Sequence, residues 1–329
     1  MTQKGQHSSL ILQSLRKALP ATWKSASWLL RLMIPISLGV TLLQYFGVLE
    51  LFAKVLHPVF VHIGLPGASS LAFISGAAAG TYAGIAAMMS MPLSLRQATI
   101  IALMIALCHA LPMECAVNRK TGSSFWKMGL IRIVMAFLSA ALLNLLLPEM
   151  QQSYVYLGVD TQCSWSEMLL TWALSQLKMA AMVFAIIYVL MALQRLLEAY
   201  DLMKPISDFL SPLMKIFGLP RNAAYMWLVG NVIGISYGSA VMLELEEQGK
   251  ITREEANEAN YHLIMNHSLL EDTIVFAVTG ISALILITVR ISFAILLVWS
   301  RKALKASLRT LKSNATVYDN NIRPGRDTL

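Results

Sequence analysis

The stretch Gly76-Ala-Ala-Ala-Gly80-Thr-Tyr-Ala-Gly84 returns later in the chain as Gly230-Asn-Val-Ile-Gly234-Ile-Ser-Tyr-Gly238, with glycine at every fourth position in both copies. The register extends outward from there. Gly64-Leu65-Pro66 falls on Gly218-Leu219-Pro220, Pro58 on Pro212 and Met88 on Met242, all at one shift. Beyond a short insertion near Glu246–Lys250 the shift is larger but constant again. Ala98 then falls on Ala256, His109 on His267, Val117 on Val275, Gly122 on Gly280 and Arg132 on Arg290, with Glu114 on Asp272. Ser94 with Gln97, and Thr252 with Glu255, have the spacing of helix capping boxes. One shared glycine would mean little, but a colinear set of this length is the signature of internal duplication.

The repeated segments are apolar, and so is the rest of the chain. Of 329 residues, 57% are hydrophobic and only 13% are charged, and the mean hydropathy is +0.61. Soluble chains carry about 25% charged residues, so this composition excludes a soluble enzyme, a disordered chain and a nucleic-acid-binding domain. The net charge of +8 reports topology and anionic headgroups in such a chain. Cys108, Cys115 and Cys163 form neither a zinc spacing nor a closed disulfide framework. The lipid bilayer is the expected partner.

Stretches long enough to cross about 30 Å of hydrocarbon are Trp28–Leu49, Leu93–Val117, Phe125–Leu147, Met168–Leu190 and Gly280–Trp299, with the more polar Ala256–Val278 as a sixth. Ala68–Ser90 and Asn222–Leu243 are broken by glycines and are read as re-entrant helical hairpins. Leu51–Ile63 and Met203–Phe217 are read as interfacial helices. The expected fold is an all-α integral membrane protein of two inverted-topology repeats, each with three transmembrane helices, an interfacial helix and a re-entrant hairpin. Charge sets the orientation. Lys4, Arg16, Lys17 and Lys24 place the arm 1–27 inside. Arg301, Lys302, Lys305, Arg309 and Lys312 place the tail 301–329 inside. The segment 148–167 has no Lys or Arg and belongs outside. Each half (28–147 and 168–300) therefore crosses an odd number of times, and the halves oppose one another, the plan of many secondary transporters. A bacterial inner membrane with both termini cytoplasmic is the expected location.

Two sets of residues are candidates for chemistry. The hairpin glycines Gly76, Gly80, Gly84, Gly230, Gly234 and Gly238 permit turns and close backbone approach, and broken hairpins at membrane depth must face protein or water. With Thr81, Tyr82, Asn231, Ser236 and Tyr237 beside them, the tips are expected to face a solute. The alternative is tight helix packing through small residues. The second set is His109-Ala-Leu-Pro-Met-Glu114 with its counterpart His267-Ser-Leu-Leu-Glu-Asp272. Pro112 removes a helical hydrogen bond. Ionisable groups within a membrane usually face a cavity or a partner, and histidine titrates near neutrality. Four residues apart, His267 and Glu271 share a helix face, with Asp272 off it. Arg290 is expected to pair with Glu271 or Asp272, leaving the other acid free, and Arg132 is its structural counterpart. A His–Glu spacing of five suits a metal poorly on a regular helix, so no metal is expected. No cofactor and no catalytic nucleophile–base pair are expected either.

The interfacial helix, glycine hairpin, broken polar helix and final span, repeated upside down, resemble the core of the concentrative nucleoside transporters. The Gly-Leu-Pro lead-in and the Gly-x3-Gly-x3-Gly hairpins more closely resemble the Gate, or nucleoside-recognition, domain family, over 28–147 and 178–300. That family includes the spore maturation proteins A and B and the membrane portion of the ferrous-iron permease. The resemblance implies a transporter of a small polar, nucleoside-like solute coupled to H+ or Na+. The spore maturation proteins imply the alternative of a non-transporting membrane component acting through partner proteins; a homo-oligomer is compatible with either. Two features depart from the relatives. Residues 76–84 lack the Gln and Glu that the nucleoside transporters carry at this tip, and no Gly-x4-Gly-Lys-Ser/Thr loop of the permease's GTPase is present.

Overall fold

The computed structural model describes residues 3–150, 152–155 and 164–322. Residues 151 and 156–163 of the expected outer loop 148–167, including Asp160 and Cys163, lie outside the described residues, as do the first two residues of the arm and the last seven of the tail. Among the described residues the chain is helical, with a single isolated bridge between Ser94 and Ser153.

In chain order the helices are α1 (Gln3–Tyr45), α2 (Val48–Val61), α3 (Ser69–Ala79), α4 (Thr81–Met89), α5 (Leu95–Cys108), α6 (Leu111–Lys120), α7 (Phe125–Leu146) and α8 (Trp165–Ala199). They continue as α9 (Met203–Leu210), α10 (Leu213–Ile216), α11 (Ala224–Val232), α12 (Ile235–Glu247), α13 (Arg253–Asn266), α14 (Leu269–Val278) and α15 (Ala283–Ile322). The boundaries drawn at 27/28 and 300/301 are changes of hydropathy alone, since α1 and α15 run through them unbroken.

Among the described residues, four helices are long and apolar enough to cross a membrane: Leu95–Lys120, Phe125–Leu146, Trp165–Ala199 and Ala283–Leu308. The first is 72% buried, against 28–33% for the other three, so it runs through the middle of the molecule. The others turn apolar faces outward. On α7 the exposed residues Leu130, Val134, Leu138, Leu142 and Leu145 recur every three or four positions and form one stripe, as a lipid-facing helix requires. Of the two further expected spans, Trp28–Leu49 lies mostly in α1, against α8, where Gln176 Nε2 donates to Ser37 Oγ at 2.9 Å. Ala256–Val278 is divided between α13 and α14.

The two glycine segments are helical hairpins. α3 and α4 turn at Gly80 (φ 108°, ψ 173°), and α11 and α12 turn at Gly234 (φ 110°, ψ 166°), backbone conformations open only to glycine. The hairpin arms hold 11, 9, 9 and 13 residues. At about 1.5 Å rise per residue they reach about 14–20 Å, short of the roughly 30 Å of a bilayer core. The flanking glycines serve packing: a Cβ on Gly84 would lie 3.1 Å from Gly76 Cα, and one on Gly238 would lie 2.9 Å from Gly230 Cα. The glycine segments thus turn at their tips and pack closely along their arms.

Several contacts recur at equivalent positions of the two halves. Ser94–Gln97 and Thr252–Glu255 form capping boxes at the starts of α5 and α13. Gly76 O accepts from Ala110 N–H at 2.9 Å and Gly230 O from Ser268 N–H at 3.0 Å. Arg132 Nε donates to Leu107 O at 2.9 Å and Arg290 Nε to Met265 O at 3.0 Å. Polar side chains also join the halves. Asn260 donates to Thr121 Oγ1 and Ser123 Oγ, and Ser123 donates to Asn257.

Candidate functional site

Each half carries one broken helix. Between α5 and α6, Ala110 adopts φ 45°, and between α13 and α14, Ser268 adopts φ 51°. Non-glycine residues in this left-handed region are held there at a cost of order 1 kcal/mol and cluster at functional sites. Pro112 is not the general cause, because the second break occurs at Ser268-Leu269-Leu270 without a proline. The shared cause is the set of partners that take over the freed backbone groups. The hairpin carbonyls Gly76 O and Gly230 O accept from the N–H groups of Ala110 and Ser268, and the arginines of α7 and α15 donate to the carbonyls Leu107 O and Met265 O. Arg290 Nη2 also takes His267 O at 2.6 Å.

Both arginines are fully buried and each meets one acid. Arg132 Nη1 lies 2.5 Å from Glu114 Oε2, and Arg290 Nη1 lies 2.9 Å from Asp272 Oδ2. Of the two acids open in the sequence, Asp272 is therefore the paired one. Among the described residues Glu271 has no ion pair; its Oε1 accepts a hydrogen bond from Tyr82 Oη at 3.0 Å. Thr81 Oγ1 donates to Asp272 Oδ1 at 3.0 Å, so the tip of the first hairpin is fastened to the broken helix of the second half.

His109 and His267 meet where the two breaks face one another. Their Nε2 atoms are 3.2 Å apart. His109 Nε2 lies 3.1 Å from Glu114 Oε1, and His267 Nε2 lies 3.0 Å from Glu114 Oε2. His109 and Glu114 are thus neighbours because the helix between them is interrupted, and the regular helix on which their spacing was judged is absent.

A cavity of about 160 Å³ opens beside this cluster, lined by Gly80, Thr81, Tyr82, His109, Glu114, Glu271, Asp272 and, from α1, Met33. A second, wider cavity of about 1110 Å³ is lined by Trp23, Lys24, Arg31, Gln194, Arg195 and Tyr237. Tyr82 and Glu271 line both, so their hydrogen bond stands between the two spaces.

Seven of the ten candidate solute residues surround these spaces: Thr81, Tyr82, His109, Glu114, Glu271 and Asp272 line the smaller cavity, and Tyr237 lines the larger. His267 backs the cluster without lining either. Asn231 is buried and donates to Trp227 O at 2.9 Å. Ser236 is exposed and lines neither cavity. The second tip does not mirror the first because Ile235 stands where the repeat register puts Thr81. Sequence reasoning passed over Met33, Ser268 and the vestibule residues on α1 and α8. Only Ser268 carried a signal, its register with Ala110.

A family model described as Gate, nucleoside recognition, matches residues 26–122. The membrane protein YvoD of Bacillus subtilis (strain 168), itself uncharacterized, is 30% identical over 296 residues, covering 88% of this chain and 92% of the relative. No solved structure matches the chain significantly.

Proposed function

Because the chain belongs to the Gate, or nucleoside-recognition, family of membrane proteins, we propose that it is a secondary transporter of a small polar solute in a bacterial inner membrane. The single observation that carries this reading is the small cavity whose wall joins a hairpin tip of one half to the charged broken helix of the other. Discontinuous helices meeting at a cavity are how transporters offer backbone and side-chain groups to a solute at membrane depth. Hairpin arms too short to span the bilayer favour re-entrant insertion, and the contacts that recur at equivalent positions favour two halves related by an axis through the His109–His267 contact. Opposite orientation of the halves then follows from the basic termini. A nucleoside-like solute suits the family's description.

In this reading Glu271 is the coupling acid. It is the carboxylate without an ion pair, it touches both cavities, and its partner Tyr82 sits on the hairpin. Protonating Glu271 weakens its hold on Tyr82, frees the tip and connects the spaces. The test uses purified protein in detergent, with thermal stabilisation by nucleosides and nucleobases measured from about pH 5 to 8. Wild type should be stabilised by at least one compound in a pH-dependent manner. Glu271→Gln should melt within a few degrees of wild type without solute and should lose the pH dependence. A Glu271→Gln variant with the wild-type pH profile would remove the acid from coupling, and a panel with no stabilising compound would count against a nucleoside-like solute.

A further inference from the structure

We propose that His109, Glu114 and His267 form a binding site for one divalent transition-metal ion, with an open coordination position toward the small cavity. The inference rests on donor geometry and goes beyond the transport reading, since a metal can bind there whether or not a solute moves. His109 Nδ1 lies 3.2 Å from Ile105 O and His267 Nδ1 lies 2.8 Å from Leu263 O. A carbonyl only accepts, so both Nδ1 atoms carry a proton, and a ring in its neutral form then presents a bare lone pair at Nε2. Those lone pairs face one another at 3.2 Å, and both face the Glu114 carboxylate at 3.0–3.1 Å. Three acceptors thus converge in the protein interior with no donor among them.

Such convergence suits a cation held by all three groups. One proton can lie on only one of the three edges. Two protons would set two imidazolium groups with their Nε2 atoms 3.2 Å apart. A single ion bonded at about 2.0–2.2 Å to imidazole nitrogen and carboxylate oxygen reaches all three groups at once, and ligands around such an ion stand about 3 Å from one another. Two imidazoles and a carboxylate suit zinc and ferrous ions. The supporting groups are those that metal ligands need: a backbone carbonyl on each Nδ1–H, and Arg132 on Glu114 Oε2. Charge agrees as well. Two guanidiniums, Arg132 and Arg290, stand among three carboxyl groups, Glu114, Asp272 and Glu271, so the cluster holds one more acid than it holds guanidiniums. Only His109 and Glu114 of the three ligands line the cavity, which puts the open position on their side.

Co2+ is the probe, added to the full-length protein purified in detergent at neutral pH. Wild type should take up one Co2+ per chain, with visible absorption of a low-coordinate site and no thiolate-to-cobalt band despite the nearby Cys108 and Cys115. His109→Cys and His267→Cys should each retain the ion and acquire that charge-transfer band, because only a ligating sulfur produces it. The double variant His109→Gln with His267→Gln should lose stoichiometric uptake, with its melting curve recorded to establish that it is folded. Wild type that takes up no stoichiometric Co2+, cysteine variants without the new band, or a folded double variant with unchanged uptake would each overturn the site. Cobalt binding as expected, with no solute stabilisation at any pH, would count against the transport reading alone.

Discussion

Arg290→Met is expected to destabilise the protein by about 3–5 kcal/mol, the cost of breaking a buried ion pair by removing one member. Arg290 is fully buried, with Nη1 2.9 Å from Asp272 Oδ2. The methionine would fill much of the same volume but leave Asp272 charged in an interior site. It would also strand Met265 O and His267 O, which Arg290 takes at 3.0 and 2.6 Å. These carbonyls are free because the helix breaks at Ser268, so the arginine holds the break open as well as balancing charge. Unfolding in denaturant should show the loss directly. Changing Asp272→Asn in the same chain should restore part of it, since the acid no longer needs a counter-charge. A melting curve for Arg290→Met that matches wild type would show that the pair contributes nothing to the fold.

Gly238→Leu should abolish folding, and Gly238→Ala should leave a folded protein weakened by about 1–3 kcal/mol, the range for overpacking a close contact. The first atom of any side chain there would meet Gly230 Cα at 2.9 Å, and backbone cannot yield as a flexible side chain does. The tip differs: a Cβ on Gly234 meets only Ser268 Oγ at 3.5 Å. Gly234→Ala should therefore act through its φ of 110° rather than through a clash. The measurement is the folded fraction eluting as a discrete species in size-exclusion chromatography. Folded Gly238→Leu would refute the close approach of α11 and α12.

How much of this was legible in the sequence depended on whether identity or geometry carried the signal. The duplication was legible because residues with no substitute recur in register: glycines where the backbone turns or closes up, and arginines at 132 and 290 where a buried cation is held. That Arg290 would meet an acid was also legible, because a lone guanidinium in an apolar span needs one. Which acid was not. A regular helix places His267 and Glu271 on one face, but the break at Ser268 restarts the helix, turning Asp272 to Arg290 and Glu271 to Tyr82. The same interruption hid the meeting of His109 with Glu114. At the second hairpin tip Tyr237 lines the larger cavity, while Asn231 donates to Trp227 O and Ser236 lines neither cavity. Apolar Ile235 in the register of Thr81 removes the hydroxyl that would have reached across.

In the proposed transporter the repeated halves insert in opposite directions, so that equivalent loops lie on opposite sides of the membrane. Pro92, between α4 and α5, and Lys250, between α12 and α13, lie in equivalent loops of the repeat, and both are exposed. With Cys108, Cys115 and Cys163 replaced, Pro92→Cys and Lys250→Cys variants would be treated in intact cells with an impermeant thiol reagent. The account predicts that the cysteine at position 92 reacts from outside and that the one at 250 reacts only after the cells are opened. Labelling of both from the same side would contradict it.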